Sequence, residues 1–201
     1  MITDLLTNDF ITHYHLPAVP TIKVIQLQHT SFGISDLKGQ GITITPTHLG
    51  TAVCTNPQKH NITIIGYESF INTIANEAFQ KNKNRCDILC ETTQTFVLGE
   101  LKETKTRALK EARKKAKTQL ITSLQTLCAV PAIKKYLETK TIRKCCFFHK
   151  KPTNVANIYA PEAFNRLATL PSVAIKKNYP DIEAFGFECY EYTYPQVLTL
   201  S

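Results

Sequence analysis

Glycine is scarce in this chain, seven in 201 residues, and none of the seven falls into GxGxxG or GxxxxGK. The phosphate-cradling loops of ATP-driven and nicotinamide enzymes are therefore missing. Paired cysteine spacing is missing too. Seven cysteines, an odd number, stand at positions 54, 86, 90, 128, 145, 146 and 189 without one CxxC. That pattern excludes a disulfide framework or zinc ribbon and points to reduced thiols in a cytoplasmic protein, most of them small apolar core residues. No run approaches the roughly 18 uncharged apolar residues of a membrane span, and acidic Asp4 and Asp9 stand where an export signal carries positive charge. No membrane partner is expected. Repeats, low-complexity tracts and Gly/Ser-rich linkers are also lacking, so residues 1–201 read as a single domain with a β-rich layer over 1–66, a core over 67–150 and a C-terminal helix and strand over 151–201.

What is present is a folded chain with its charge gathered in one place. Hydrophobic residues at 43% and charged residues at 20% are ordinary globular proportions. The net charge is +8, yet the stretch from Lys102 to Lys151 alone holds fifteen Lys or Arg against three acids, a net of +12, so the rest of the chain carries −4. A basic band inside a mildly acidic body is the footprint of a polyanion-binding surface. A solvated lysine-rich helix face is the plainer explanation.

Residues 21–29 and 41–46 alternate polar with apolar or β-branched residues and predict strands joined by the Gly33–Gly41 segment; residues 61–66 predict another. Helical spacing predicts a helix over 68–81. The sequence 85–91, the polar turn at 92–94 and the run 95–103 predict a β-hairpin. Leu109, Ala112, Ala116, Leu120, Leu124 and Leu127 predict a long helix over 104–128, with Pro131 opening a second one. A buried strand over 142–149, a short helix from Pro161 to Leu170 and a final strand over 185–194 complete the reading.

The segment DILCETTQTFVLGELK, Asp87 to Lys102, carries the chemistry. On a strand, residues two apart share a face, so Glu100 and Lys102 project together while Val97, Gly99 and Leu101 face the other side. A hairpin turning at 92–94 brings Asp87 beside them. Two carboxylates and an ammonium at one spot suit metal-dependent phosphodiester hydrolysis, in which hard oxygen ligands hold Mg²⁺ and the ammonium orients water.

This arrangement resembles the PD-(D/E)XK nuclease superfamily over residues 68 to about 150. The resemblance implies an α/β fold with a mixed central sheet flanked by helices, restriction-endonuclease-like. It also implies Asp87 and Glu100 as ligands of Mg²⁺, the Leu101 carbonyl as a further ligand, and Lys102 as the group acting on water. Glu77 is the candidate for the acid that the superfamily often supplies from the preceding helix, with Glu68 second. Cys86 stands where the family has proline. Gln119 matches a glutamine found in one branch, with Ser123 in place of that branch's tyrosine. Three strands are expected between the two helices; two are visible, and residues 61–66 are the candidate for the third. DNA is the implied substrate, and a homodimer is compatible with the resemblance.

Arg107, Lys110, Lys114 and Lys117 recur every three or four residues and form one ridge, suited to phosphate contacts that position without reading sequence. Arg113 lies nearer the apolar stripe, where Glu103 or Glu100 is its candidate partner. The second reading is a non-catalytic nucleic-acid-binding or assembly protein that uses the same 104–128 helix. Cys145, Cys146 and His149 are too few and too divergent for zinc, because adjacent strand residues point to opposite faces.

Overall fold

The computed structural model describes residues 1–17, 22–81, 84–151 and 173–201. Eleven strands among these residues are β1 (Val24–Leu27), β2 (Ser31–Leu37), β3 (Gly41–Thr45), β4 (Ala52–Thr55), β5 (Ile62–Gly66), β6 (Ile88–Glu91), β7 (Thr95–Glu103), β8 (Ile142–Lys150), β9 (Ile175–Lys177), β10 (Glu188–Thr193) and β11 (Val197–Thr199). They form a seven-stranded mixed sheet, β1-β5-β6-β7-β8-β10-β9, and a four-stranded sheet, β11-β4-β2-β3. In the larger sheet β7, β8 and β10 run parallel and the other pairings are antiparallel.

Alternation along the strands divides the core in two. Phe96, Leu98 and Cys145 pack with the helices, whereas Val97, Leu101 and Cys146 pack with Phe32, Ile34 and Cys54 of the smaller sheet. Adjacent Cys145 and Cys146 are thus both buried, one on each face, as apolar filling. The expectation of helices flanking the sheet needs correction, since they cover one face and the four-stranded sheet covers the other. The α/β mixture itself is as expected.

The first 66 residues are not one β layer. They open with a helical run, Ile2–Leu5, a π turn over Leu6–Phe10, and Ile11–His13, which buries Ile2, Leu6 and Phe10. The Gly33–Gly41 segment, expected as a connection, is mostly strand. Ser31–Leu37 pairs antiparallel with β3, so the turn itself is confined to residues 38–40. Residues 62–66 form β5, which pairs antiparallel with β6, but it precedes the Tyr67–Asn72 helix in the chain, so only β6 and β7 lie between that helix and Leu109–Cys128.

The helix expected over 68–81 is broken into Tyr67–Asn72 and Glu77–Gln80. The cause is local competition from side chains for backbone groups. Thr73 Oγ1 donates to the Phe70 carbonyl at 2.6 Å, and Asn76 Oδ1 accepts from Phe79 N–H at 2.9 Å as a new N-cap. The long helix runs Leu109–Cys128 after a 3₁₀ turn over Thr106–Ala108, and Pro131 opens the Pro131–Glu138 helix at its first turn. The last strand is shorter than expected because Pro180–Glu183 forms a helix and Gly186, at φ +74°, turns the chain into β10. The expected Pro161–Leu170 helix lies outside the described residues.

Candidate metal and catalytic centre

β7 leaves the core at Lys102, two residues after the buried Glu100, and the β6–β7 hairpin sets Asp87 beside them. The register pairs Ile88 with Gly99, which puts Asp87, one residue before β6, level with the Glu100–Leu101 step. Leu101 N–H closes the arrangement by donating to Asp87 Oδ2 at 2.6 Å. Lys102 Nζ lies 2.6 Å from Glu100 Oε1 and 3.9 Å from Asp87 Oδ2. Asp87, Glu100 and Lys102 therefore meet.

Both acids are sealed from water: Asp87 is 4% exposed and Glu100 0%. Glu100 has Lys102 as its ion-pair partner, and no other described group donates a hydrogen bond to either of its oxygens. A buried carboxylate so poorly paired costs stability, which raises its affinity for a proton or another cation. Burial, then the nearby Asp87, pushes the Glu100 carboxyl up to about 8. Burial pushes Asp87 up to about 6 against the opposing pull of Lys102 and of Leu101 N–H. Burial works against the charge on Lys102, yet Asp87 and Glu100 hold its ammonium above the usual lysine range.

Two further acids complete the cluster. Oxygens of Asp36 on β2 and Glu68 on the Tyr67–Asn72 helix lie with one of Asp87 within 4.8 Å of one another. Glu68 also acts electrostatically on Asp87, Glu100 and Lys102. Glu77 does not join them. It sits exposed on the separate Glu77–Gln80 turn, because the chain breaks between 73 and 76, so Glu68 is the helix-borne acid at this spot. Asp36 was missed by the sequence reading. Its signal is the alternation Phe32, Ile34, Asp36, with the first two buried against the larger sheet.

The backbone in front of Asp87 is gripped by the long helix. Gln119 Nε2 donates to the Arg85 carbonyl at 2.9 Å, and Cys86 N–H donates to Ser123 Oγ at 2.8 Å. The Asp87 carbonyl itself accepts from Tyr67 N–H at 2.9 Å. These bonds fix where the Asp87 side chain starts.

Searches against family models, curated proteins and solved structures return no match.

The basic ridge is split by the fold. Arg107, Lys110 and Lys114 are exposed and have no ion-pair partner among the described residues. Lys117 is diverted, lying 3.6 Å from Asp181 and over the Tyr179 ring. Arg113 pairs neither with Glu103 nor with Glu100. Its Nη2 lies 2.6 Å from Glu191 on β10, a strand that parallel pairing with β8 brings under the helix.

No described helix is long and apolar enough to cross a membrane. The donor set at Asp87 and Glu100 is all oxygen, of the kind hard divalent cations prefer. Two buried carboxylates that share one lysine fit such an ion.

Proposed function

We propose that this chain is a Mg²⁺-dependent nuclease that hydrolyses DNA phosphodiester bonds, with a core of the restriction-endonuclease-like kind. The reading rests on one observation, the buried Glu100 carboxylate that has only the Lys102 ammonium as partner among the described residues and faces Asp87 across it. Asp87 and Glu100 would hold the ion. The Leu101 carbonyl would join them, because in an extended strand it leaves on the same edge as the N–H that reaches Asp87. Mg²⁺, when bound, neutralises the phosphate and lowers the pKa of a bound water.

The chain's own groups do the rest. The Lys102 ammonium, held beside both acids, would orient the attacking water against the phosphate. Glu68 orients or accepts a proton from that water. Arg107, Lys110 and Lys114 run from this point along the helix and hold the phosphate backbone without reading bases. Two departures from the superfamily pattern answer each other: Cys86, in the proline position, supplies the N–H that Ser123, in the tyrosine position, accepts. Proline has no such donor.

The exposed ridge favours the second reading, a binding or assembly protein that needs no carboxylates. Supercoiled plasmid separates the two. Wild-type protein is expected to nick or degrade it with Mg²⁺ and to stop on addition of EDTA. Binding without any metal-dependent cleavage would leave only the second reading.

A further inference from the structure

A second polar cluster lies on the same sheet face as the acidic centre and plays no part in it. Glu191 on β10 is 2% exposed and takes hydrogen bonds from Arg113 Nε at 2.8 and 3.0 Å and from Arg113 Nη2 at 2.6 Å. His149 Nε2 lies 3.0 Å away and Lys177 Nζ 3.1 Å away. The cluster opens into a groove between the long helix and β8, β10 and β9, lined by Arg113, Lys117, Phe147, Lys177, Tyr179 and Glu191. Burial alone would raise the Glu191 carboxyl, but hydrogen bonds from His149, Arg113 and Lys177 hold it down to about 2. It is a permanent counter-ion.

One carboxylate does not use up these cations. Arg113 has five N–H donors and Nη1 makes no bond to Glu191, while its side chain remains 41% exposed and that of Lys177 29%. Lys117 stands at the rim with Asp181. Among the described residues the acids paired with Arg113, Lys117 and Lys177 are Glu191 and Asp181, which leaves positive charge in excess. A buried acid that aligns a guanidinium and an ammonium, with donors still pointing outward, preorganises them for another anion.

The register sets the distance from the centre. Glu100 pairs with Phe147, and Phe147 with Glu191, so the two acids are level on one face, two strand spacings or about 10 Å apart.

We infer that this groove is a phosphate subsite, in which Arg113 and Lys177 grip a backbone phosphate of the strand whose scissile bond lies at Asp87 and Glu100. The inference rests on the nuclease reading for the identity of the strand. The groove's affinity for phosphate does not depend on cleavage.

The test is the salt dependence of binding of a fluorescein-labelled DNA duplex to the full chain in EDTA. Arg113→Gln also strips a buried acid of its main partner and lowers stability, so Lys177→Gln, which keeps the Arg113 fork, carries the result. Lys177→Gln is expected to weaken binding about tenfold and to reduce the slope of log K against log salt by about 1. The control is Lys176→Gln, on the opposite face of β9 and paired with Glu188, which is expected to change the slope by less than half as much. Equal slopes for wild type, Lys177→Gln and Lys176→Gln overturn the subsite, and the nuclease reading then stands or falls on plasmid cleavage alone. A slope that falls in a protein unable to cleave keeps the groove and removes the nuclease. Inorganic phosphate at constant ionic strength identifies the source. Competition no stronger than that of sulfate is expected; phosphate-specific competition that Lys177→Gln abolishes overturns the backbone assignment in favour of free phosphate.

Discussion

Asp87→Asn and Lys102→Met each lower Mg²⁺-dependent plasmid cleavage at least about 10³-fold, while DNA binding in Ca²⁺ stays within about threefold of wild type. The size follows from the roles. Asp87 bonds Leu101 N–H and shares Lys102 with Glu100, so one substitution removes an oxygen ligand and unbalances its neighbour. Losing a group that acts only as charge develops at the phosphate typically costs a factor of about 10²–10⁴. Glu68→Gln is expected to cost about tenfold and Glu77→Gln nothing, because only the former acts on the cluster. Gel quantification of nicked plasmid under single-turnover conditions reads all four. Equal activity in Asp87→Asn and wild type would sink the catalytic assignment.

The second large effect is on stability and has a definite sign. Folding raises Glu100 from an ordinary 4.5 to about 8 and Asp87 from 3.8 to about 6. Between those values the native state holds protons that the unfolded chain has already released, so the contribution of these two groups is fully present below about pH 4 and is lost as pH rises toward 8. A carboxyl whose pKa rises by one on folding contributes about 1.4 kcal/mol in this way, so the loss amounts to a few kcal/mol. For a domain of this size that lowers Tm by about 2–4 °C per kcal/mol. Wild-type Tm in EDTA is therefore expected to fall from pH 5 to pH 8. Glu100→Gln flattens most of that slope, and millimolar Mg²⁺ restores the wild-type Tm at pH 8 by supplying the missing positive charge. Calorimetry across that range checks it. An unchanged slope in Glu100→Gln means that the carboxylate is not the strained group.

What the sequence revealed and concealed follows from the range of each signal. Strand alternation has a period of two, so the shared face of Glu100 and Lys102 was readable from three residues. The polar turn at 92–94 then placed Asp87, because a hairpin is a local object. The amphipathic pattern of the long helix was equally local. The N-terminal helix was readable in principle, since Ile2, Leu6 and Phe10 recur every four residues, but helical pieces of four and three residues around a π turn are weak signals.

Longer-range features left no local trace. Arg113 finds Glu191 only because β10 lies parallel to β8, and no local spacing encodes that neighbour. Asp36 comes from a strand of the other sheet, and Glu77 lost its expected place when Thr73 and Asn76 captured backbone groups and broke the helix. Periodicity describes faces; it does not say which faces meet.

The central claim is that the carboxylates of Asp87 and Glu100 hold a divalent ion, and anomalous diffraction from crystals soaked in Mn²⁺ tests it most directly. The account predicts a peak about 2.0–2.3 Å from an oxygen of each acid, with the Lys102 ammonium displaced from Glu100. Absence of a peak at full soaking, with Lys102 still bound to Glu100, would contradict it.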